Sequence, residues 1–288
     1  MKILRTGFLL ILLSVLLVVA GGAIGGQSGL KIALIIAVVM NGISYFFSDK
    51  IALASSGAQP VSREQVPRLY EVMGRLAAKA RLPMPRLYVI PEPAPNAFAT
   101  GRNPQHASVA VTQGLLELMN DEELEGVIAH ELSHVRNYDI LTSSIAATIA
   151  GAITYLASMG RWAMIFGGYG RDRDDDRGGG GLAALLMIFL APFAALMLQL
   201  FLSRTREYSA DETGARMVGQ PYGLISALQK LGAYNQRIPT TSVSPSTSAL
   251  CIVKPLFGNG GLSSLFSTHP PLEKRIQALR EMTVTPQR

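Results

Sequence analysis

Four long apolar stretches constrain the fold of this chain more than any other feature of its sequence. They contain no charged residue and comprise residues 8–24, 32–47, 140–160 and 182–202. A helix needs roughly 20 apolar residues to cross a bilayer. The first, third and fourth stretches are long enough, and the second is marginal. The sequence therefore predicts about four transmembrane or membrane-embedded helices.

Two alternatives to this interpretation stand beside it. The stretches 140–160 and 182–202 could instead be buried helices of a soluble core, although uncharged runs of this length are uncommon there. The first stretch, which follows Lys2 and Arg5, could instead be a cleaved signal peptide. A retained anchor is favoured because the apolar run continues through Ile24 and a second apolar segment follows closely.

Composition supports a membrane protein and excludes several other classes. Hydrophobic residues make up 49% of the chain and charged residues 16%, whereas soluble proteins carry about 25% charged residues. The net charge is +6, but the basic residues are scattered, so no nucleic-acid partner is predicted. Cys251 is the single cysteine, which excludes an intrachain disulfide and a cysteine-ligated zinc site.

The apolar stretches divide the chain into four predicted parts. Residues 1–49 form an N-terminal membrane region and residues 50–139 the first part of a polar domain. Residues 140–202 form a membrane hairpin with a Gly/Asp/Arg-rich connector at 167–181. Residues 203–288 form the second part of the polar domain.

Periodicity and turn residues predict regular elements in the polar parts. Apolar residues at helical spacing predict helices at 67–80, 204–218 and 272–280. Short β-branched runs predict strands at 86–90 and 108–112. Residues 96–101, between them, are predicted to form an edge strand or an extended loop.

The sequence His130-Glu131-Leu132-Ser133-His134 is an HExxH motif at a predicted helix. Asn120 and Glu123 form a capping-box pattern at the start of this helix. Histidines four residues apart lie on one helical face, where both can bind the same zinc ion. The intervening Glu131 is placed to act as a base toward water instead of as a ligand. The alternative is a pair of surface histidines beside a solvated glutamate.

A zinc site of this class needs a third protein ligand. The other histidines are His106 and His269, and neither has the spacing of a third-histidine ligand. The acidic candidates on the predicted helix 204–218 are Glu207, Asp211 and Glu212. Glu207 and Asp211 share a face, which suggests Glu207 as the ligand and Asp211 as the group that orients an imidazole. The alternative is an ordinary surface pair with a neighbouring arginine.

Zinc binding by these residues also constrains the membrane topology. Glu207 can join His130 and His134 only if an even number of crossings separates them, and two apolar stretches do so. The arginine-containing connector 167–181 would then face away from the cytoplasm, mildly against the positive-inside rule. A shallow hairpin that does not cross would satisfy the chemistry equally well.

The motifs together resemble HtpX, a family of membrane-bound zinc endopeptidases of bacteria and archaea related to the CAAX prenyl endopeptidases. The resemblance covers nearly the whole chain, and its motifs are residues 95–101, 130–139, 206–211 and 269–276. It implies an α+β, mainly helical fold: a gluzincin-type zincin domain with a small sheet, combined with the membrane helices. It also implies Glu207 as the third ligand of one Zn²⁺ per subunit.

The resemblance further implies a role and a location. The chain is expected to be a multi-pass protein of the cell inner membrane whose catalytic domain faces the cytoplasm. Its expected substrates are unfolded or misfolded membrane proteins, within protein quality control and the stress response. The residues expected to line the substrate cleft as an edge strand are Asn96, Ala97, Phe98 and Ala99.

The resulting hypothesis is zinc-dependent endopeptidase activity with Glu131 as the general base. A catalytically silent membrane scaffold or holdase with a retained zinc-binding fold is the alternative. Asp139 either orients a ligand histidine or marks the start of the third apolar stretch. His269 either donates to the reacting oxygen or starts a helix before Pro270. The sequence does not specify the cleavage preference or the oligomeric state.

Overall fold

The structure, a computed structural model, describes residues 2–145, 204–237 and 270–282. The predicted connector 167–181 and the stretch 182–202 lie outside the described residues, as do Cys251 and His269. Of the stretch 140–160, only residues 140–145 are described. Together with Asp139 they are helical.

The chain begins with a long apolar helix, α1 (Lys2–Ser55), whose two halves lie side by side. Asn41 Nδ2 donates a hydrogen bond to Ser14 Oγ at 2.7 Å, although 27 residues separate them along the chain. In a straight helix these residues would lie about 40 Å apart. Gly26, with a φ of 57°, lies between the halves, where a residue without a Cβ tolerates the left-handed conformation. α1 is therefore an antiparallel pair that contains both predicted N-terminal apolar stretches.

The second half of α1 exposes its large apolar side chains. Ile32, Ile35 and Val38 are 59%, 64% and 64% exposed. Among the residues that the structure describes, Gly26–Ser55 is the one helix long and apolar enough to cross a membrane. The described residues thus contain one clear candidate span, and the four predicted membrane helices stay a prediction.

A four-stranded sheet follows α1. Its strands are β1 (Gln59–Pro60), β2 (Arg86–Ile90), β3 (Ala97–Gly101) and β4 (Ala107–Thr112). The spatial order is β1-β2-β4-β3, with β2 parallel to β4 and the other pairs antiparallel. Residues 97–101 are therefore an edge strand of the sheet instead of an extended loop.

Besides the helical residues 139–145, the remaining regular elements in the described part of the chain are helices. They are α2 (Pro67–Ala80), α3 (Gln113–Leu118), α4 (Asp121–Arg136), α5 (Arg204–Val218), α6 (Tyr222–Arg237) and α7 (Leu272–Glu281), with a 3₁₀ turn at Pro104–His106. The chain is thus mainly helical with a small sheet, as predicted.

The sheet is buried on both faces. Successive residues of a strand point to opposite faces, and β4 follows this rule. Val109 and Val111 join the main core formed with α2 and α4. Ala110 faces the other way and packs with Leu53 of α1 and Phe98 of β3. The C-terminal end of α1 is therefore part of the sheet's second core.

Helix α4 lies at the centre of the domain, against α2, α5, α6 and β3. Two glycines allow the close helix contacts around it. A Cβ at Gly126 would lie 2.5 Å from the backbone nitrogen of Leu224 on α6. A Cβ at Gly214 of α5 would lie 3.0 Å from the backbone nitrogen of His130. Because α5 approaches α4 this closely, its acidic side chains reach the histidines of the HExxH motif.

Candidate metal centre

The two histidines of the HExxH motif meet on the buried side of α4. The helix begins at the predicted capping box, in which Asn120 Oδ1 accepts from Glu123 N and Glu123 Oε2 accepts from Asn120 N, both at 2.9 Å. The Nε2 atoms of His130 and His134 lie 3.3 Å apart. His130 is only 1% exposed. The pair is therefore not a pair of surface histidines.

Glu207 of α5 completes a group of three. Its carboxylate oxygens lie 3.6 Å from His130 Nε2 and 3.7 Å from His134 Nε2. One nitrogen or oxygen atom from each of the three residues lies within 4.8 Å of the others. Glu207 is buried, whereas Glu212 is exposed and pairs with Arg216. Of the acidic candidates, Glu207 is the one beside both histidines.

The spacing of these atoms fits a zinc ion. Ligand atoms about 2.0–2.1 Å from a tetrahedral zinc lie roughly 3.4 Å from one another. The two Nε2 atoms are 3.3 Å apart, and each lies at a similar distance from one oxygen of Glu207: Oε2 is 3.6 Å from His130 Nε2, and Oε1 is 3.7 Å from His134 Nε2. Two imidazoles with one carboxylate are also the donor set of many catalytic zinc sites, which keep a fourth position for water or substrate.

A buried carboxylate lies behind each imidazole. Asp211 Oδ1 is 2.9 Å from His130 Nδ1, and Asp139 Oδ2 is 3.6 Å from His134 Nδ1. Each ring therefore directs Nε2 into the group of three and Nδ1 toward a carboxylate. Such partners fix the tautomer and the orientation of a ligating histidine. The placement of Asp139 favours the first of its two predicted roles.

Burial and charge act differently on the two histidines. Burial lowers the pKa of His130 below its ordinary value of 6.5, despite the opposing effect of Asp211. Burial also lowers the pKa of His134, but the carboxylate of Asp139 and the charge of Glu207 more than offset this and raise it above 6.5. His130 is therefore neutral at neutral pH, which is the form that binds a metal.

The group also contains a residue that is absent from the predicted site. Arg275 of α7 is completely buried, and its Nε and Nη2 atoms donate to the two oxygens of Asp211 at 2.8 and 2.6 Å. Burial alone would raise the pKa of Asp211, but Arg275 and His130 together hold it below its usual 3.8. The motif at 269–276 contains Arg275, but its sequence does not distinguish this cation from exposed neighbours such as Lys274.

Glu131 connects the group of three to the edge strand. Its side chain is buried and accepts a hydrogen bond from the backbone N–H of Ala99. Burial raises the pKa of Glu131 to about 7; the charge of Glu207 adds to this effect, and His134 opposes it. A carboxyl group with a pKa near neutrality can both accept and return a proton at physiological pH.

The four predicted cleft residues lie at the start of β3. Asn96 precedes the strand and is tied to β4, because Asn96 O accepts from Thr112 N at 2.9 Å. Ala97 and Ala99 belong to the core that includes α4. Phe98 packs on the opposite face, against the end of α1. The remaining described histidine, His106, is exposed and bonded to Arg102 and Asn103.

Comparisons with known proteins identify the family. The model of peptidase family M48 matches residues 63–283. The chain belongs to the HtpX group of this family. It is 52% identical over 278 residues to a "Protease HtpX homolog" of Syntrophobacter fumaroxidans, and the alignment covers 96% of this chain and 98% of the relative. It is 50% identical over 280 residues to another protein of the same name, from Pyrococcus furiosus, and this alignment covers 97% of this chain and 96% of the relative.

A solved structure agrees with the fold. The crystal structure of S. mikatae Ste24p aligns with a TM-score of 0.50 over 86% of this chain and 57% of that chain, at 20% sequence identity. This likeness concerns the fold alone. The family match and the curated relatives make the chain a membrane-bound zinc metalloprotease.

Proposed function

We propose that His130, His134 and Glu207 hold one zinc ion per subunit and that Glu131 is the general base of peptide-bond hydrolysis. One observation carries this proposal: Glu131 is buried, is close enough to His134 and Glu207 for their charges to act on it, and accepts a hydrogen bond from Ala99 of the edge strand. The second carboxylate on α5, Asp211, orients His130.

The chemistry follows from these placements. A zinc ion held there would lower the pKa of a water molecule and polarise a peptide carbonyl. Glu131 takes a proton from water at its carboxylate and passes it to the nitrogen of the departing amine. The raised pKa of Glu131, about 7, suits both steps. Asp211 and Asp139 keep the two imidazole rings turned toward the centre.

We place the substrate along the outer edge of β3. In the antiparallel register the backbone groups of Ala97 and Ala99 face away from β4, on the side where the N–H of Ala99 reaches Glu131. An extended peptide that pairs with a strand edge is bound mainly through its backbone, with little demand on sequence. Asn96, Ala97, Phe98 and Ala99 form this edge, with Phe98 acting by anchoring the strand on α1.

We propose unfolded or misfolded membrane proteins as the substrates. The end of α1 packs directly on β3 through Leu53 and Phe98, so the proposed cleft lies close to the end of the membrane helix. A cleft at this position reaches chain segments that leave the bilayer. Backbone-directed binding suits segments that have lost their own structure, which agrees with a role in quality control and stress response.

We propose that the protease is a multi-pass inner-membrane protein whose catalytic domain faces the cytoplasm. The antiparallel halves of α1 place Lys2 and Lys50 at the same end of the pair, and positive charge favours the cytoplasmic side. Residues 140–202 would form the second hairpin, because His130 and Glu207 meet on one side of the membrane. The two parts of the catalytic domain are then 50–139 and 203–288.

The first experiment tests the base. The full chain is purified in detergent, stripped of metal, and compared with Glu131→Gln and with Glu125→Gln, a partly exposed glutamate of the same helix. One equivalent of zinc is added, and cleavage of an unfolded membrane protein is followed. We expect the wild type and Glu125→Gln to cleave, and Glu131→Gln to bind zinc but cleave about 10²–10⁴-fold more slowly.

Two other outcomes contradict the proposal. If wild type and Glu131→Gln cleave at equal rates, Glu131 is not the base. If all three proteins bind zinc and none cleaves, the scaffold alternative is correct for this chain.

A labelling experiment tests the topology. In a Cys251→Ser background, Ser28→Cys lies in the turn of α1 and Gln113→Cys lies at the start of α3. We expect a membrane-impermeant maleimide to reach position 28 from outside the inner membrane and position 113 only after the membrane is opened. The reverse pattern would place the catalytic domain outside the cytoplasm.

A further inference from the structure

Helix α7 contains a charged side chain where an apolar one is expected. Its buried face comprises Leu272, Arg275, Ile276 and Leu279, which pack toward α5 and α6. Leu279 is 1% exposed and Arg275 is 0% exposed. Lys274 and Arg280, on the same helix, are exposed. A guanidinium is costly to bury unless it is fully paired, so its position requires an explanation.

The pairing of Arg275 points to the metal centre. Its Nε and Nη2 atoms donate hydrogen bonds to the two oxygens of Asp211, at 2.8 and 2.6 Å. Its Nη1 atom lies 3.7 Å from Glu207 Oε2. Asp211 in turn contacts His130 at 2.9 Å. One side chain thus reaches two of the three proposed zinc ligands, one directly and one through a carboxylate.

The geometry of the contact is specific to arginine. A guanidinium is a planar fork that binds a carboxylate through two parallel hydrogen bonds and fixes its plane. Fixing the plane of Asp211 also fixes the direction in which its Oδ1 faces His130 Nδ1. Because Arg275 has no exposed surface, it does not face a substrate.

The start of α7 places this side chain. Pro271 precedes the helix, and its carbonyl oxygen accepts from the backbone nitrogens of Lys274 and Arg275 at 3.0 and 3.2 Å. Pro270 is buried. The prolines therefore define where the helix begins, and Arg275 lies one turn inside it, opposite Asp211 of α5.

From these contacts we infer that Arg275 is a positioning residue of the zinc centre, which orients His130 through Asp211 and Glu207 directly. This inference rests on the proposed zinc site. It gives the sequence motif around Pro270 and Pro271 a function: the motif delivers a cation from the C-terminal helix to the ligands on α4 and α5.

The test measures zinc affinity in the full-length protein, in detergent, by competition with a chromophoric chelator. Arg275→Lys keeps the charge but loses the fork, and Arg280→Lys is the matched control on the exposed face of α7. We expect Arg275→Lys to weaken zinc binding about 10–100-fold, as is typical when a group behind a ligand is changed. Arg280→Lys should bind as the wild type does. Wild-type affinity in Arg275→Lys would overturn the inference.

A double-mutant cycle tests the route through Asp211. If Arg275 acts on His130 through Asp211, the loss of affinity in the double variant Arg275→Lys/Asp211→Asn should be smaller than the product of the two single losses, because the direct contact with Glu207 is the only part that adds to the effect of Asp211→Asn. Losses that multiply would show that the two residues act separately and would reject this route.

A second variant covers the case in which Arg275→Lys does not fold. Arg275→Met combined with Asp211→Leu removes both buried charges, which the fold tolerates better than the loss of one. We expect the zinc-induced rise in melting temperature to shrink in this variant, since that rise reports affinity. A rise as large as in the wild type would overturn the inference, whatever the melting temperature without zinc. A wild type that binds no zinc would instead reject the proposed site itself.

Discussion

Helices α1 and α4 distribute polar and apolar side chains in opposite ways. On α1, Ile35 and Val38 are more than half exposed. On α4, His130 and Glu131 are almost completely buried. In a soluble protein each pattern would be costly, because exposed apolar area and buried polar groups both oppose folding.

The difference teaches that the two helices face different surroundings. The exposed side of α1 suits a bilayer, in which an apolar surface is the stable one. The buried side of α4 suits an ion and the carboxylates of Glu207, Asp211 and Asp139 that surround its histidines. Phe98 of β3 lies between the two environments, since its strand contacts α4 and its side chain packs on α1.

The largest expected effect comes from a charge placed on the exposed face of α1. Val38→Arg puts a cation near the middle of the candidate span, which costs about 2.5–3.5 kcal/mol of insertion free energy. Insertion is measured as the ratio of inserted to non-inserted chains for α1 fused to a reporter. Phe47→Arg, close to Lys50 at the end of the span, is the control, because an end residue can extend its charge to the interface. Equal insertion of Val38→Arg and the wild type would mean that this face contacts water.

On the side of α4, the matching test removes the charge behind a histidine. Asp139→Asn should weaken zinc binding about 10–100-fold, because the group facing His134 Nδ1 loses its negative charge. Asp121→Asn, at the exposed start of α4, is the control and should leave the affinity unchanged. If the zinc dissociation constant of Asp139→Asn equals that of the wild type, Asp139 does not orient His134 and serves only as the first residue of the helix 139–145.

The same variant should change the pH dependence of zinc binding. Protons compete with zinc for His134, and its raised pKa means that this competition begins above pH 6.5 as the pH falls. Without the Asp139 charge the pKa of His134 falls, so the loss of zinc should begin at a lower pH. The measurement is the zinc dissociation constant between pH 5 and 8. If the pH dependence of zinc binding is the same in Asp139→Asn and the wild type, Asp139 does not raise the pKa of His134.

Much of the domain could be predicted from local patterns. The bounds of α2 and β2 and the end of α5 agree with prediction because apolar period and flanking prolines or polar residues define them within one segment. The capping box of α4 is confirmed for the same reason. β1, α3 and α6 are not among the predicted elements. β1 has two residues, too few for a period, whereas α6 carries Leu224, Leu228 and Leu231 at helical spacing.

Only some of the polar residues of the site could be predicted from the sequence. His130, His134 and Glu207 follow from spacing within single helices, and the structure brings them together. Arg275 contacts Asp211 across 64 residues of chain, so no local pattern relates them. The fold-back of α1 is similar: the contact between Ser14 and Asn41 depends on a turn at Gly26. Contacts of this kind depend on tertiary packing.

A smaller effect is expected at the start of α4, where a buried carboxylate is structural. Glu123 completes the capping box and accepts from Ser226 at 2.6 Å and Lys230 at 2.7 Å on α6. Glu123→Gln should lower the free energy of unfolding by about 1–2 kcal/mol and leave zinc affinity unchanged. Glu125→Gln, on the same helix, is the control. Loss of zinc affinity in Glu123→Gln would show that the two ends of α4 are coupled.

The loss of unfolding free energy at acid pH tests the same carboxylate, that of Glu123. Burial opposes its ionisation, but hydrogen bonds from Lys230, Ser226 and Asn120 more than offset this and hold the pKa of Glu123 below 4.5. A pKa lowered by folding adds stability that is present above pH 4.5 and is lost as the pH falls toward the folded-state pKa. Glu123→Gln should therefore lose less stability than the wild type between neutral pH and pH 4. Parallel curves would contradict this assignment.

The smallest effect is expected between the two halves of α1. Asn41 Nδ2 donates to Ser14 Oγ at 2.7 Å, between the two halves of a mainly apolar helix. Hydrogen bonds between membrane helices contribute about 0.6 kcal/mol on average, because the separated helices also find partners. Asn41→Leu should lower the stability of the helix pair by about that amount, measured by unfolding in detergent, and Ser14→Ala should do the same. The double variant should lose no more than either single one, since all three remove the same bond. A loss of several kcal/mol would mean that Asn41 holds the turn as well as its partner, and that α1 resembles α4 in depending on a buried polar contact.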